Sequence, residues 1–86
     1  NAASSGVILY STSWCGYCRQ ARAFFQERGV AFVERDIERE PGARDEMNQK
    51  AQAQGVRLQG VPVIDVHGTL VPGFDRARIA SLLTGI

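Results

Sequence analysis

Short apolar runs alternate along this chain with longer stretches in which apolar residues return every three or four positions. Val7-Ile8-Leu9-Tyr10 is β-branched and aromatic, is bounded by Gly6 and by Ser11-Thr12-Ser13, and reads as a buried strand. Ala21, Phe24 and Phe25 then fall at i, i+3 and i+4, one face of a helix that begins at Cys15 to Cys18 and that Gly29 can end through a left-handed cap. Residues 31–37 read as a second strand. Pro41 suits the first position of another helix, where a missing N–H costs nothing. Ala43, Met47 and Ala51 form the inward face of that helix, with Met47 as core filler; Glu46 and Lys50 are spaced for an ion pair, and Gly55 ends it. Val61 to Val66, His67-Gly68-Thr69 and Leu70-Val71 read as strand, tight turn and strand. Ile79, Leu82 and Leu83 mark a last helix whose first turn Asp75 can cap.

The order β-α-β-α-β-β-α predicts an α/β fold with a four-stranded mixed sheet and flanking helices. The helix between the first two strands lets them lie parallel, whereas the short turn between the last two makes them antiparallel. Asn1 to Gly6 is expected to be a flexible lead, with Asn1-Ala2 a cloning remnant, and residues 7–86 a single domain. No internal repeat, low-complexity tract or linker interrupts it.

Composition narrows the function classes. The chain has 86 residues and a net charge of +1, with its basic residues dispersed, so neither nucleic acid nor a membrane surface is an expected partner. Runs such as Val61-Pro62-Val63-Ile64 are too short to span a bilayer, and the first residues lack the layout of a signal peptide. The expected compartment is the cytoplasm, with the periplasm as the alternative if an export signal has been removed.

The two cysteines of the chain form Cys15-Gly16-Tyr17-Cys18, between the first strand and the first helix. A disulfide scaffold in so small a chain needs more cysteines, and a closed zinc site needs four ligands, whereas the only histidine, His67, is distant in sequence. A redox dithiol is the leading reading. At a helix N-terminus the unpaired N–H groups favour a negative sulfur, which makes Cys15 the nucleophile. Cys18, one turn further in, suits the resolving role. No metal site is expected.

These residues carry a family resemblance. Tyr10-Ser11-Thr12-Ser13-Trp14-Cys15-Gly16-Tyr17-Cys18, Gly60-Val61-Pro62 and Gly73-Phe74-Asp75, in this order, resemble the glutaredoxin branch of the thioredoxin fold from about Val7 to Leu83. The resemblance implies a thiol–disulfide oxidoreductase that uses glutathione as electron donor and acts on protein disulfides or glutathione mixed disulfides, as a monomer. It implies a cis Pro62 and a glutathione groove made by Tyr17, Val61, Pro62, Gly73, Phe74 and Asp75. In that groove Val61 offers its main chain to an extended peptide, and the Gly73 turn and Asp75 meet the γ-glutamyl end. Asp75 as a plain helix cap is the competing assignment.

The chain also departs from the family. Gly16 and Trp14 resemble thioredoxin, so a redoxin reduced by thioredoxin reductase is one alternative; ordinary aromatic packing of Trp14 and Tyr17 is another reading of those residues. Without proline after Cys15, a [2Fe–2S] cluster held by Cys15 of two chains and two glutathione thiolates is a further alternative. Thr12 stands where many glutaredoxins have lysine, Gly60 replaces threonine, and Pro72-Gly73 replaces Gly-Gly. Arg44 is the candidate substitute cation. His67 is expected to be a solvated turn residue, and the charges of Glu34, Arg35, Asp36, Glu38, Arg39 and Glu40 a solvated edge and loop.

Overall fold

In the computed structural model, residues 6–84 are described; the expected N-terminal lead, except Gly6, and the last two residues of the expected domain lie outside them. The chain runs β1 (Val7–Ser11), α1 (Gly16–Glu27), β2 (Val33–Asp36), α2 (Ala43–Gln54), β3 (Val63–Val66), β4 (Thr69–Pro72) and α3 (Arg76–Thr84). The strands form one sheet in the order β2-β1-β3-β4. β1 lies parallel to β2, antiparallel to β3, and β3 pairs antiparallel with β4. The architecture is the expected four-stranded mixed sheet with three helices, a thioredoxin-like fold.

Alternation along the central strands divides the core in two. Val7 and Leu9 of β1, with Ile64 and Val66 of β3, pack with Ala21, Phe24 and Phe25 of α1 and Ile79 of α3. Tyr10 and Val63 point to the other face and meet Ala43, Met47 and Ala51 of α2. Because successive strand residues face opposite sides and both faces are covered, β1 reads as a continuous apolar run from Val7 to Tyr10, and β3 as one that Asp65 alone interrupts. Full burial of each such side chain contributes roughly 1.5–3 kcal/mol.

Helix ends follow the local chemistry. Gly29, with φ of 66°, turns the chain out of α1 while its N–H donates to Gln26 O and that of Val30 to Phe25 O, the paired bonds of a Schellman motif. Gly55 closes α2 with φ of 67°.

Four boundaries differ from the sequence expectation. Pro41 is not the first residue of α2: Gly42, left-handed at φ of 84°, intervenes and caps the helix. β2 covers Val33–Asp36, less than residues 31–37, and its four residues pair with Ile8 to Ser11 of β1. β3 begins at Val63, after a cis Val61–Pro62 bond, so Val61 and Pro62 approach the sheet without joining it. Thr69 belongs to β4 opposite Val66, leaving His67 (φ 53°) and Gly68 (φ 95°) as a two-residue loop with the positive φ pair of a type I′ turn.

The charged segment around β2 is also more ordered than a solvated edge. Arg22 of α1 forks onto Glu34, which Ser11 Oγ also reaches at 2.7 Å. Arg35 reaches Glu40 at 2.8 Å and Glu46 at 2.9 Å. Lys50 lies 4.0 Å from Glu46, the expected i, i+4 partner, but its close contact is Asp65 at 2.7 Å. Among the described residues no helix is long and apolar enough to cross a membrane.

Candidate active site

The pairing of Tyr10 with Val63 sets the site, because it places the chain that leaves β1 beside the chain that enters β3. Residues 12–15 and residues 60–62 therefore share one end of the sheet. The Pro62 carbonyl accepts the Gly73 N–H at 2.9 Å, which brings the end of β4 to the same place. Cys15, Pro62 and Gly73, far apart in sequence, thus converge. His67, in the hairpin turn beyond Val66, is at the opposite end and exposed, as expected.

Cys15 is the N-cap of α1, with extended φ and ψ of −85° and 115°. Its sulfur takes the place of a capping oxygen and accepts the Cys18 N–H at 3.1 Å. Its own N–H donates to Thr12 O at 3.5 Å. Both thiols are free. They differ in access: Cys15 is 6 % exposed and Cys18 is fully enclosed. Burial pushes the Cys18 thiol up to about 12, with the Cys15 sulfur beside it adding to the effect. At neutral pH Cys18 therefore keeps its proton inside the fold, while the Cys15 sulfur is the one that a helix-terminal N–H faces and that retains some exposure.

Trp14 and Tyr17 flank the nucleophile and are 68 % and 64 % exposed. Trp14 does not pack into the core; its indole N–H donates to Glu38 Oε1 at 3.1 Å. Beneath the motif, the Thr12 hydroxyl is buried without a hydrogen-bond partner among the described residues. Arg22, one turn after Cys18, has its guanidinium tied to Glu34. That pairing raises Arg22 and holds the Glu34 carboxyl below the usual range.

A groove of about 370 Å³ opens at this end of the sheet, between Val61 and Pro62 on one side and Pro72 and Gly73 on the other. The Val61 N–H and C=O make no hydrogen bond to any described residue. Around Gly73 the assignments divide. The Gly73 N–H is spent on Pro62 O, the Phe74 ring stacks edge-on to Phe24 with centroids 5.7 Å apart, and Asp75 Oδ1 caps α3 by accepting the Arg78 N–H at 3.2 Å. The N–H groups of Phe74 and Asp75 remain available to a ligand.

Arg44 lies exposed in the first turn of α2 and does not line the groove. Arg57 does. Sequence reasoning missed Arg57 because it sits in the irregular segment between Gly55 and Gly60, where no period assigns a side chain to a face. The Ser11–Glu34–Arg22 network was missed because parallel pairing of β1 and β2, not sequence spacing, brings those groups together.

The glutaredoxin family model matches residues 7–71. A glutaredoxin of Pseudomonas aeruginosa is 36 % identical over 69 residues, which is 80 % of this chain and 76 % of that protein. Among solved structures, a glutaredoxin of Archaeoglobus fulgidus superposes with a TM-score of 0.74 at 23 % identity, covering 94 % of this chain and 88 % of that one. A buckwheat glutaredoxin–glutathione complex superposes with a TM-score of 0.71 at 21 % identity, covering 96 % and 80 %. With an exposed-side and a buried thiol paired at a helix start beside a cis proline, and a family match over three quarters of its length, the chain belongs to the glutaredoxin family of thiol–disulfide oxidoreductases.

Proposed function

We propose that this protein reduces glutathione mixed disulfides and protein disulfides and draws its electrons from glutathione. The observation that carries this reading is the unused main-chain pair of Val61 at the rim of a groove on the Cys15 end of the sheet. An extended peptide can dock there as a short added strand, with its sulfur directed at Cys15. The glutathione bound in the buckwheat neighbour is consistent with such an occupant.

The Cys15 thiolate attacks one sulfur of the substrate disulfide, a Cys15–substrate disulfide forms, and the other half leaves as a thiolate that takes a proton from water. Two routes complete turnover. Cys18 loses its proton and attacks Cys15, giving the Cys15–Cys18 disulfide and releasing the second thiolate; alternatively, glutathione attacks the mixed disulfide directly. Two electrons pass from the dithiol to the substrate in the first route, and two glutathione molecules restore them. Before it can attack, Cys18 must lose a proton that its burial holds, a step that the direct route avoids.

The test couples reduction of a glutathione mixed disulfide either to glutathione with glutathione reductase or to thioredoxin reductase. Turnover with the glutathione system is the expected result. Turnover with thioredoxin reductase alone contradicts the proposal and makes the protein a redoxin.

A further inference from the structure

Cys18 and Arg22 stand four residues apart on α1, so they share one face of that helix. On the sheet beneath, Glu34 is the partner of Leu9, and Leu9 packs under α1, so the Glu34 side chain rises on that same side of the sheet. The Arg22 guanidinium is turned onto Glu34, with Nε donating to Oε1 at 2.7 Å and a second bond to Oε2. Ser11, buried at the end of β1, donates its hydroxyl to Glu34 Oε2 at 2.7 Å and fixes the carboxylate from the sheet side. One cation beside the resolving thiol is thereby committed to a carboxylate that the strand pairing holds in place.

Both members of the pair act on the dithiol. Arg22 is raised chiefly by its hydrogen bonds to Glu34, and negative charge on Cys18 or Cys15 raises it further. Burial does most to hold the Cys18 proton, the Cys15 sulfur comes next, and Glu34 adds to the hold. The charged or titratable groups that act on Cys18 are thus Cys15 from the start of α1, Arg22 from α1 itself and Glu34 from β2; Ser11 and Thr12, where the chain leaves β1, are uncharged, and the Thr12 main chain favours the anion. A guanidinium one helical turn away, left uncompensated, would stabilise a thiolate at Cys18. We propose that Glu34 is a positioning residue that restrains the resolving thiol: by holding Arg22 it denies Cys18 a cation, so that a mixed disulfide on Cys15 lasts long enough for an external thiol to take it. The Arg22–Glu34 pair then sets the balance between the two-cysteine and the one-cysteine route. The inference rests on thiol–disulfide exchange at Cys15, whichever external thiol is the donor.

Mixing reduced protein with excess dipyridyl disulfide, an uncharged reagent, separates the two steps. The Cys15 thiolate attacks one reagent sulfur, a Cys15–pyridyl disulfide forms, and one thiopyridone leaves at a rate that scales with reagent concentration. Cys18 then gives its proton to water and its sulfur attacks Cys15. The Cys15–pyridyl bond breaks, the Cys15–Cys18 disulfide forms, and a second thiopyridone leaves with the electron pair, at a rate independent of reagent concentration. Glu34→Gln is expected to speed this second phase about 5-fold at pH 7, the scale of one partly exposed charge, and to move its rise with pH toward lower pH. Arg22→Met should slow it by about as much, because Glu34 then acts on Cys18 uncompensated, and Arg22→Met/Glu34→Gln should return close to the wild-type rate. Single variants that shift the phase in the same direction, or a double variant as fast as Glu34→Gln, overturn the inference, since packing rather than charge would then set the rate. A missing first phase overturns the reading of Cys15 as nucleophile, and the inference with it.

Discussion

The Cys18 N–H points at the Cys15 sulfur from 3.1 Å, and this one contact gives two chemically identical side chains different tasks. It spends a helix-terminal donor on the outer sulfur, while the inner thiol is sealed beneath the helix with no exposed surface. Iodoacetamide reacts with thiolate, so native reduced protein at pH 7 should take up one equivalent, at Cys15, and a second only on unfolding. Peptide mapping by mass spectrometry reads the site; labelling of Cys18 at a comparable rate contradicts the assignment.

Burial of Cys18 also links its proton to stability. A thiol whose proton is held up to about 12 in the fold, against about 8.5 unfolded, stabilises the reduced protein fully below pH 8.5 and progressively less as pH rises toward 12. Urea midpoints of reduced wild type should fall from pH 8 to pH 10 more steeply than those of Cys18→Ala. Parallel curves would show that Cys18 titrates normally.

On the acid side the relevant pair is Arg22 and Glu34. Glu34 is held below its usual range by the Arg22 hydrogen bonds, so its contribution is present above pH of about 4.3 and is lost as pH falls through the lower folded value. Wild type should lose stability below about pH 4.5, and Glu34→Gln, already lacking the charge, should lose less over the same range. A chemical denaturation series at pH 3 to 6 measures both slopes.

Thr12 offers a prediction of opposite sign. Its hydroxyl is buried with no described partner, so Thr12→Val, which keeps the shape and removes the polar atom, should stabilise the protein by about 1 kcal/mol. A loss of similar size would reveal a partner for that hydroxyl.

Asp65 is 5 % exposed and answered by Lys50 at 2.7 Å and the Gly68 N–H at 2.8 Å. Lys50→Met leaves a buried carboxylate with one donor and should cost about 3 kcal/mol, whereas the double variant Lys50→Met/Asp65→Asn should recover much of it. Thermal or urea unfolding of wild type, Lys50→Met, Asp65→Asn and the double variant closes the cycle.

What could be read from the chain follows from what is periodic. Val7 to Tyr10 and Ala21, Phe24 and Phe25 announce their elements because burial repeats at 2.0 and 3.6 residues, and Cys15 and Cys18 announce the chemistry because one helical turn separates them. Gly29, Gly55 and Asp75 end or cap helices through local bonding that needs no tertiary context. Pro41 misleads, since the rule for a helix start is met but Gly42 takes the cap. Trp14 could not be placed, because an aromatic ring is equally suited to a core and to an exposed rim. Arg57 and the Arg22–Glu34 pair depend on how loops and strands meet, and no spacing along the chain encodes that.

The most direct test of the central claim is steady-state reduction of a glutathione mixed disulfide, with glutathione and glutathione reductase, by wild type, Cys15→Ser and Cys18→Ser. The expected result is complete loss of activity in Cys15→Ser and substantial retention in Cys18→Ser, because glutathione can resolve a mixed disulfide on Cys15 without the buried thiol. Equal loss in both variants, or activity that survives Cys15→Ser, would contradict the account.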